Sequence, residues 1–106
     1  MYKPLPDSLT IKQSGINGLG LFARKGIAQG TNLGMSHVGI GSGIIRTPMG
    51  GFINHSDDAN TTKVELKINN KDDPLLKMAT KKWNLFTLRD IKEGEELTVR
   101  YTFYQV

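Results

Sequence analysis

Glu93-Gly94-Glu95-Glu96-Leu97-Thr98-Val99-Arg100-Tyr101 is the stretch whose reading decides the fold. Together with Arg89-Asp90-Ile91-Lys92 before it, the acidic half is a polar turn around Gly94. From Leu97 to Tyr101 apolar and polar residues alternate, the period of two that sends successive side chains to opposite faces of a sheet. A strand leaves its backbone groups unpaired unless other strands lie beside it. The remainder of the chain must therefore supply them.

Working outward, Thr61 to Ile68 alternates with Val64, Leu66 and Ile68 on one face, as a strand would. Leu75 to Thr80 and Trp83 to Leu88 read as a hairpin turning at Lys81-Lys82, after a turn at Asn69-Asn70-Lys71-Asp72-Asp73-Pro74. Leu9 to Gln13 alternates as a first strand, and Ser14 to Gly20 is a glycine-punctuated turn leading into a short buried strand, Leu21-Phe22-Ala23. Asn32 to Ile40 is extended, interrupted by Gly34 and Gly39. Gly39 to Gly51 holds five glycines and one proline and reads as loop. No stretch carries a helical period over ten residues or more. The fold class is mainly β, with short strands, polar turns and little helix.

A chain of 106 residues has room for one domain. Its 12 glycines favour turn-rich β structure over helices, in which glycine is costly. The absence of cysteine excludes disulfides and thiolate metal sites, and two histidines, His37 and His55, are too few for a zinc site without carboxylates, so no metal is expected. The first ten residues carry no apolar run, so a soluble, intracellular protein with no membrane contact is expected. A net charge of +4 fits a solvated surface. Among the paired basic residues only Lys81-Lys82 has an adjoining aromatic, Trp83, so nucleic acid is not expected as a direct substrate.

Three segments stand out together: Asn17-Gly18-Leu19-Gly20-Leu21-Phe22-Ala23, then Phe52-Ile53-Asn54-His55-Ser56 with Asn60, then Leu88 to Thr98 followed by Tyr101. In that order they resemble the signature motifs of SET-domain protein lysine methyltransferases. The resemblance runs from about Leu9 to Tyr104. It implies a single SET domain over 1–106, a β-clip of small sheets with a knot-like C-terminal region, and S-adenosylmethionine as cofactor. It also implies methyl transfer to the side-chain amine of a lysine in a protein substrate. The alternative from another class is a degenerate SET-like β-clip that binds a partner without catalysis.

Residue by residue, the resemblance places Asn17, Gly18, Leu19 and Gly20 against the cofactor. A Cβ on either glycine would block close approach of the backbone, although Gly-x-Gly also makes ordinary turns. Asn54 is implied near the cofactor's amino group, and His55 either uses its backbone toward adenine or packs a turn. Tyr101 corresponds to the catalytic tyrosine, which also touches the cofactor. Phe103 and Tyr104 fall where an aromatic lines the lysine channel, whose ring faces attract ammonium cations. Glu95 and Glu96 read as a solvated turn, with a bracing role open to one of them.

The chain departs from the family pattern in several places. The Asn-His-Ser motif continues as Asp57-Asp58-Ala59-Asn60 in place of Cys-Asp-Pro-Asn, and Gly51 stands where arginine is usual. No cysteine-rich flanking module is present, and the insert forming one wall of the substrate groove shrinks to 39–51. A second subunit is expected to supply that wall, so a homodimer is expected. Such unadorned domains resemble viral, phage and bacterial members.

Overall fold

The computed structural model describes residues 5–40, 43–67 and 81–100. Eight strands and one short helix follow in the order β1 (Leu9–Gln13), β2 (Leu19–Ala23), β3 (Asn32–Ile40), β4 (Gly43–Arg46), α1 (Pro48–Phe52), β5 (Asn54–His55), β6 (Thr61–Lys67), β7 (Lys81–Thr87) and β8 (Glu96–Val99). The hydrogen-bonded path runs β1-β2-β8-β6-β7-β3-β4, with β5 also on β8.

β8 is the junction. It runs antiparallel to β2 through Leu21↔Leu97 and Phe22↔Glu96, and parallel to β5 through Asn54↔Thr98 and His55↔Val99. A single pair, Thr61↔Val99, ties it to β6. Two small sheets, β1-β2 and β6-β7-β3-β4, thus meet at the strand that the alternation of Leu97 and Val99 announces. Short turns join the antiparallel pairs β1-β2 and β3-β4, whereas β2-β8, β3-β7 and both parallel pairings bring together segments distant in sequence.

The core sits between these sheets. Leu21, Leu85 and Leu97 are 0% exposed, and Ile91, Ile53, Met49 and Val99 pack around them. Full burial of each leucine contributes about 1.5–3 kcal/mol. An isolated bridge, Ile27↔Ile91, clamps the turn after β2 to the turn before β8. No helix among the described residues is long and apolar enough to cross a membrane.

Two expectations are corrected. Gly39 to Gly51 is not a loop among its described residues. Gly43–Arg46 pairs with β3 through His37↔Arg46 and Val38↔Ile45, and Pro48–Phe52 forms a helix. Thr47 caps that helix, its Oγ1 accepting from the Gly50 N–H at 3.4 Å, and Pro48 supplies the fixed φ that a first turn favours. Gly50 lets the helix press onto β3, because a Cβ there would strike the Ser36 carbonyl.

Lys81 and Lys82 are strand residues of β7 rather than a hairpin tip. Lys81 stands opposite Lys67 on β6, with its Nζ 4.0 Å from Glu65 and 5.6 Å from the Trp83 ring. The carboxylate and the ring offset the charge that argued for a turn. Ile68 and Leu75 to Thr80 lie outside the described residues. Val64 turns outward, 37% exposed, while Thr61 on the opposite face of β6 is 1% exposed. Alternation identifies which residues share a face, and here the face bearing Thr61 meets Val99 and the core.

Candidate functional site

Asn54 is the centre of the arrangement. β5 places it beside β8, and its side chain, in a residue 8% exposed, reaches back to the turn between β1 and β2. Its Nδ2 donates toward the Asn17 carbonyl at 3.1 Å, the Leu19 carbonyl at 3.2 Å, Ser14 Oγ at 3.0 Å and Glu96 Oε2 at 3.0 Å. Two carbonyls and a carboxylate can only accept, so chemistry fixes the nitrogen on this side of the amide. One side chain thereby joins all three motif segments.

Ser14 organises the turn. Its Oγ accepts from the backbone N–H of Ile16 at 2.8 Å and of Asn17 at 3.3 Å, and donates toward both oxygens of Glu96 at 2.9 and 2.8 Å. Its own N–H donates to the Gly18 carbonyl at 2.7 Å. Gly18 takes φ +49°, a left-handed conformation that side chains disfavour, and nothing lies within 4 Å of a Cβ added to it. Gly20 has a different reason to be glycine. A Cβ there would strike the Glu96 carboxylate and come 3.1 Å from Asn54 Nδ2. Leu19 is 51% exposed and Ile16 55%, so the turn presents apolar side chains to solvent.

Both acidic residues of the last turn are engaged, which corrects their reading as solvated. Glu95 Oε1 accepts from the Lys92 N–H at 3.0 Å, and Oε2 accepts from Asn60 Nδ2 at 3.1 Å. The backbone hydrogen bond from Lys92 lowers its pKa below the ordinary carboxylate value, assisted by Asn60 and by the charges of Arg89 and Lys92, against a smaller opposing effect of burial. Asn60, 2% exposed, also donates to the Glu96 carbonyl at 2.9 Å and accepts from the Thr98 N–H at 2.8 Å. It fastens the turn after β5 to β8.

His55 Nε2 lies 3.0 Å from Asp57 Oδ1, with its side chain 36% exposed. A cavity of about 290 Å³ opens beyond it, lined by Asp57, Ala59, Thr61, Thr62, Lys63, Leu88, Val99 and Arg100. Burial lowers the pKa of Lys63 there. His37 on β3 is 4% exposed, with Nδ1 2.8 Å from Ser36 Oγ. Burial, together with the charges of Lys63 and Arg46, lowers its pKa to about 4, so it is neutral at physiological pH. Among the described residues no group of three or more His, Cys, Asp or Glu side chains is placed to hold a metal ion.

Of the residues singled out from sequence, Asn17, Gly18, Leu19, Gly20 and Asn54 come together, and His55 lies beside them on β5. Tyr101, Phe103 and Tyr104 fall outside the described residues, which reach Arg100 at the end of β8. Sequence reasoning missed Ser14 and Glu96 as partners of Asn54. The signal available was the Gly-Glu-Glu-Leu-Thr run itself, since a carboxylate one residue into a strand that pairs with β2 faces the Gly20 side of that strand.

Compared with known families, the chain matches the profile of the SET domain over residues 36–102. No curated protein sequence matches it significantly. Among solved structures, it is similar to the crystal structure of a Plasmodium falciparum protein described as a candidate histone methyltransferase. The TM-score is 0.72 at 18% identity, covering 92% of this chain and 95% of that one.

Proposed function

Because the chain belongs to the SET-domain family, we propose that it transfers the methyl group of S-adenosylmethionine to the side-chain amine of a lysine in a protein substrate. A methyltransferase fold is common ground with the Plasmodium falciparum structure. The observation that carries the finer reading is the grip of Asn54 on the Asn17 and Leu19 carbonyls and on Glu96. It assembles, at the foot of β8, the segments on which the family binds its cofactor.

The residues present fit that group. Gly18 is exposed, and the space beside it is open where a side chain would intrude. Asn17, Gly18, Leu19, Gly20, Asn54 and the backbone of His55 would hold the cofactor. When bound, S-adenosylmethionine supplies a methyl group already activated as a sulfonium, so transfer is a single displacement. The task of the chain is alignment and exclusion of water.

The accepting amine must be neutral, against an ordinary lysine pKa of about 10.4. Phe103 and Tyr104 are proposed to line an apolar channel that favours the neutral form by desolvation. Tyr101 is proposed as the catalytic residue, its hydroxyl orienting the amine nitrogen toward the methyl carbon. With the cofactor bound, the aligned amine would take the methyl group, and the resulting ammonium would yield its proton to solvent. A second copy of the chain is proposed to complete the substrate groove, beside the short edge formed by β4.

Titration calorimetry tests the cofactor half. S-adenosylmethionine should bind the wild-type chain, and Asn54→Ala should weaken binding roughly tenfold or more, the effect of losing a polar anchor. No heat of binding to the wild type removes this reading. Binding with no transfer to any protein lysine favours the alternative, a SET-like β-clip that binds without catalysis. The short β4 and α1 wall is the feature that speaks for that alternative.

A further inference from the structure

Glu96 is, among the described residues, a carboxylate without a cation. Among the described residues no lysine, arginine or histidine pairs with it; the ion pairs nearby join Arg89 to Asp58 at 3.8 Å and His55 to Asp57 at 3.0 Å. Its partners are neutral: the Ser14 hydroxyl at 2.8 and 2.9 Å and Asn54 Nδ2 at 3.0 Å. Partly buried carboxylates are usually matched by a positive group.

The surroundings are also rich in acceptors. Asn54 has two amide hydrogens, yet four acceptors lie within 3.2 Å of its nitrogen: Ser14 Oγ, the Asn17 and Leu19 carbonyls, and Glu96 Oε2. The Ser14 hydroxyl adds one hydrogen, which faces two carboxylate oxygens. Donors are therefore outnumbered on the side where the exposed Asn17–Leu19 turn opens to solvent. Gly20 preserves the arrangement, since any side chain there would displace the carboxylate. A primary ammonium brings three hydrogens and one positive charge, which are the two things this cluster lacks.

We propose that Glu96 is a specificity-determining residue, the charge partner that makes this site select a methyl donor carrying a free α-ammonium group. The assignment rests on the cofactor reading above and adds to it a residue and a discrimination. A merely structural Glu96, bracing the turn through Ser14 and Asn54, would leave affinity insensitive to the charge of the ligand's amino group.

The test is calorimetric, on the full chain, with S-adenosylhomocysteine and its desamino counterpart, which differ only at that group. The wild type should bind the amine-bearing ligand roughly tenfold or more tightly than the desamino one, the range of a charge-assisted hydrogen bond. Glu96→Gln, which keeps the shape and removes the charge, should shrink the ratio to about threefold or less, chiefly by weakening the amine-bearing ligand. An unchanged ratio in Glu96→Gln overturns the proposal while the cofactor reading stands. Equal affinities in the wild type also overturn it, whether or not the variant folds. If neither ligand binds the wild type, the cofactor reading fails and this proposal with it.

Discussion

The amide nitrogen of Asn54 lies 3.0 Å from Glu96 Oε2 and 3.1 Å from the Asn17 carbonyl, so one side chain ties together residues 42 and 37 positions away in sequence. The site depends on that bracket, and the surrounding glycines and amides serve to keep it in place.

Gly20 should be the least replaceable glycine of the turn. Gly20→Ala drives a methyl group into the Glu96 carboxylate and against Asn54 Nδ2, and should destabilise the fold by about 1–3 kcal/mol. Gly15→Ala, with nothing within 4 Å of its Cβ, should be nearly neutral. Urea unfolding of the two variants compares them directly. Equal stabilities would contradict the assigned contact.

Asn60 predicts a larger loss. Asn60→Ala leaves the buried Thr98 N–H without its 2.8 Å acceptor and frees Glu95 and the Glu96 carbonyl from their donor. An unsatisfied buried donor together with lost hydrogen bonds should cost about 2–4 kcal/mol. The same unfolding measurement checks it, and a loss below about 1 kcal/mol would show that water replaces the side chain at little cost.

His37 sets a pH dependence. In the unfolded chain it takes up a proton near its ordinary value of 6.5, whereas in the folded chain it resists until about pH 4. Between those values the unfolded state binds more protons, so stability falls as the pH falls through that window. The total should be on the order of 3 kcal/mol for this buried group. In urea titrations at pH 7, 5.5 and 4.5, the wild type should lose more stability than His37→Gln. Parallel profiles would contradict the burial argument.

Self-association should involve the outer edge of β4. Ile44 is 46% exposed and Ile45 is 55% exposed on the strand that ends the sheet path among the described residues, with apolar side chains on both faces. Sedimentation velocity should show a dimer that Ile45→Lys weakens at least tenfold. A monomer at high protein concentration would leave the substrate groove to this chain alone.

Much of this architecture was legible from local pattern. Leu9–Gln13 and the alternation of Leu97 and Val99 gave strands because apolar residues two apart mark a pleated segment, even though Thr98 between them is buried too. Gly39 to Gly51 misled because glycine marks permissive backbone without saying whether a partner strand is present. There β3 supplies that partner, and Thr47-Pro48 held an unread helix-start signal. For Val64 the period marked a shared face but not its direction, since which side of a sheet is covered is a tertiary fact. Ser14, Asn60 and Glu96 have partners 35 to 82 positions away, and although Asn60 and Glu96 stand in the motif segments, local pattern does not say what they bind. The motif resemblance located Asn54 because it encodes such long-range pairings.

The most direct measurement of the central claim is transfer of a labelled methyl group from S-adenosylmethionine to a mixed pool of proteins, followed by hydrolysis and identification of the modified amino acid. The wild-type chain should deposit label on methylated lysine, and Tyr101→Phe should reduce the rate by roughly two orders of magnitude or more while binding the cofactor as the wild type does. Cofactor binding without label on lysine, or label deposited equally fast by Tyr101→Phe, would contradict the account.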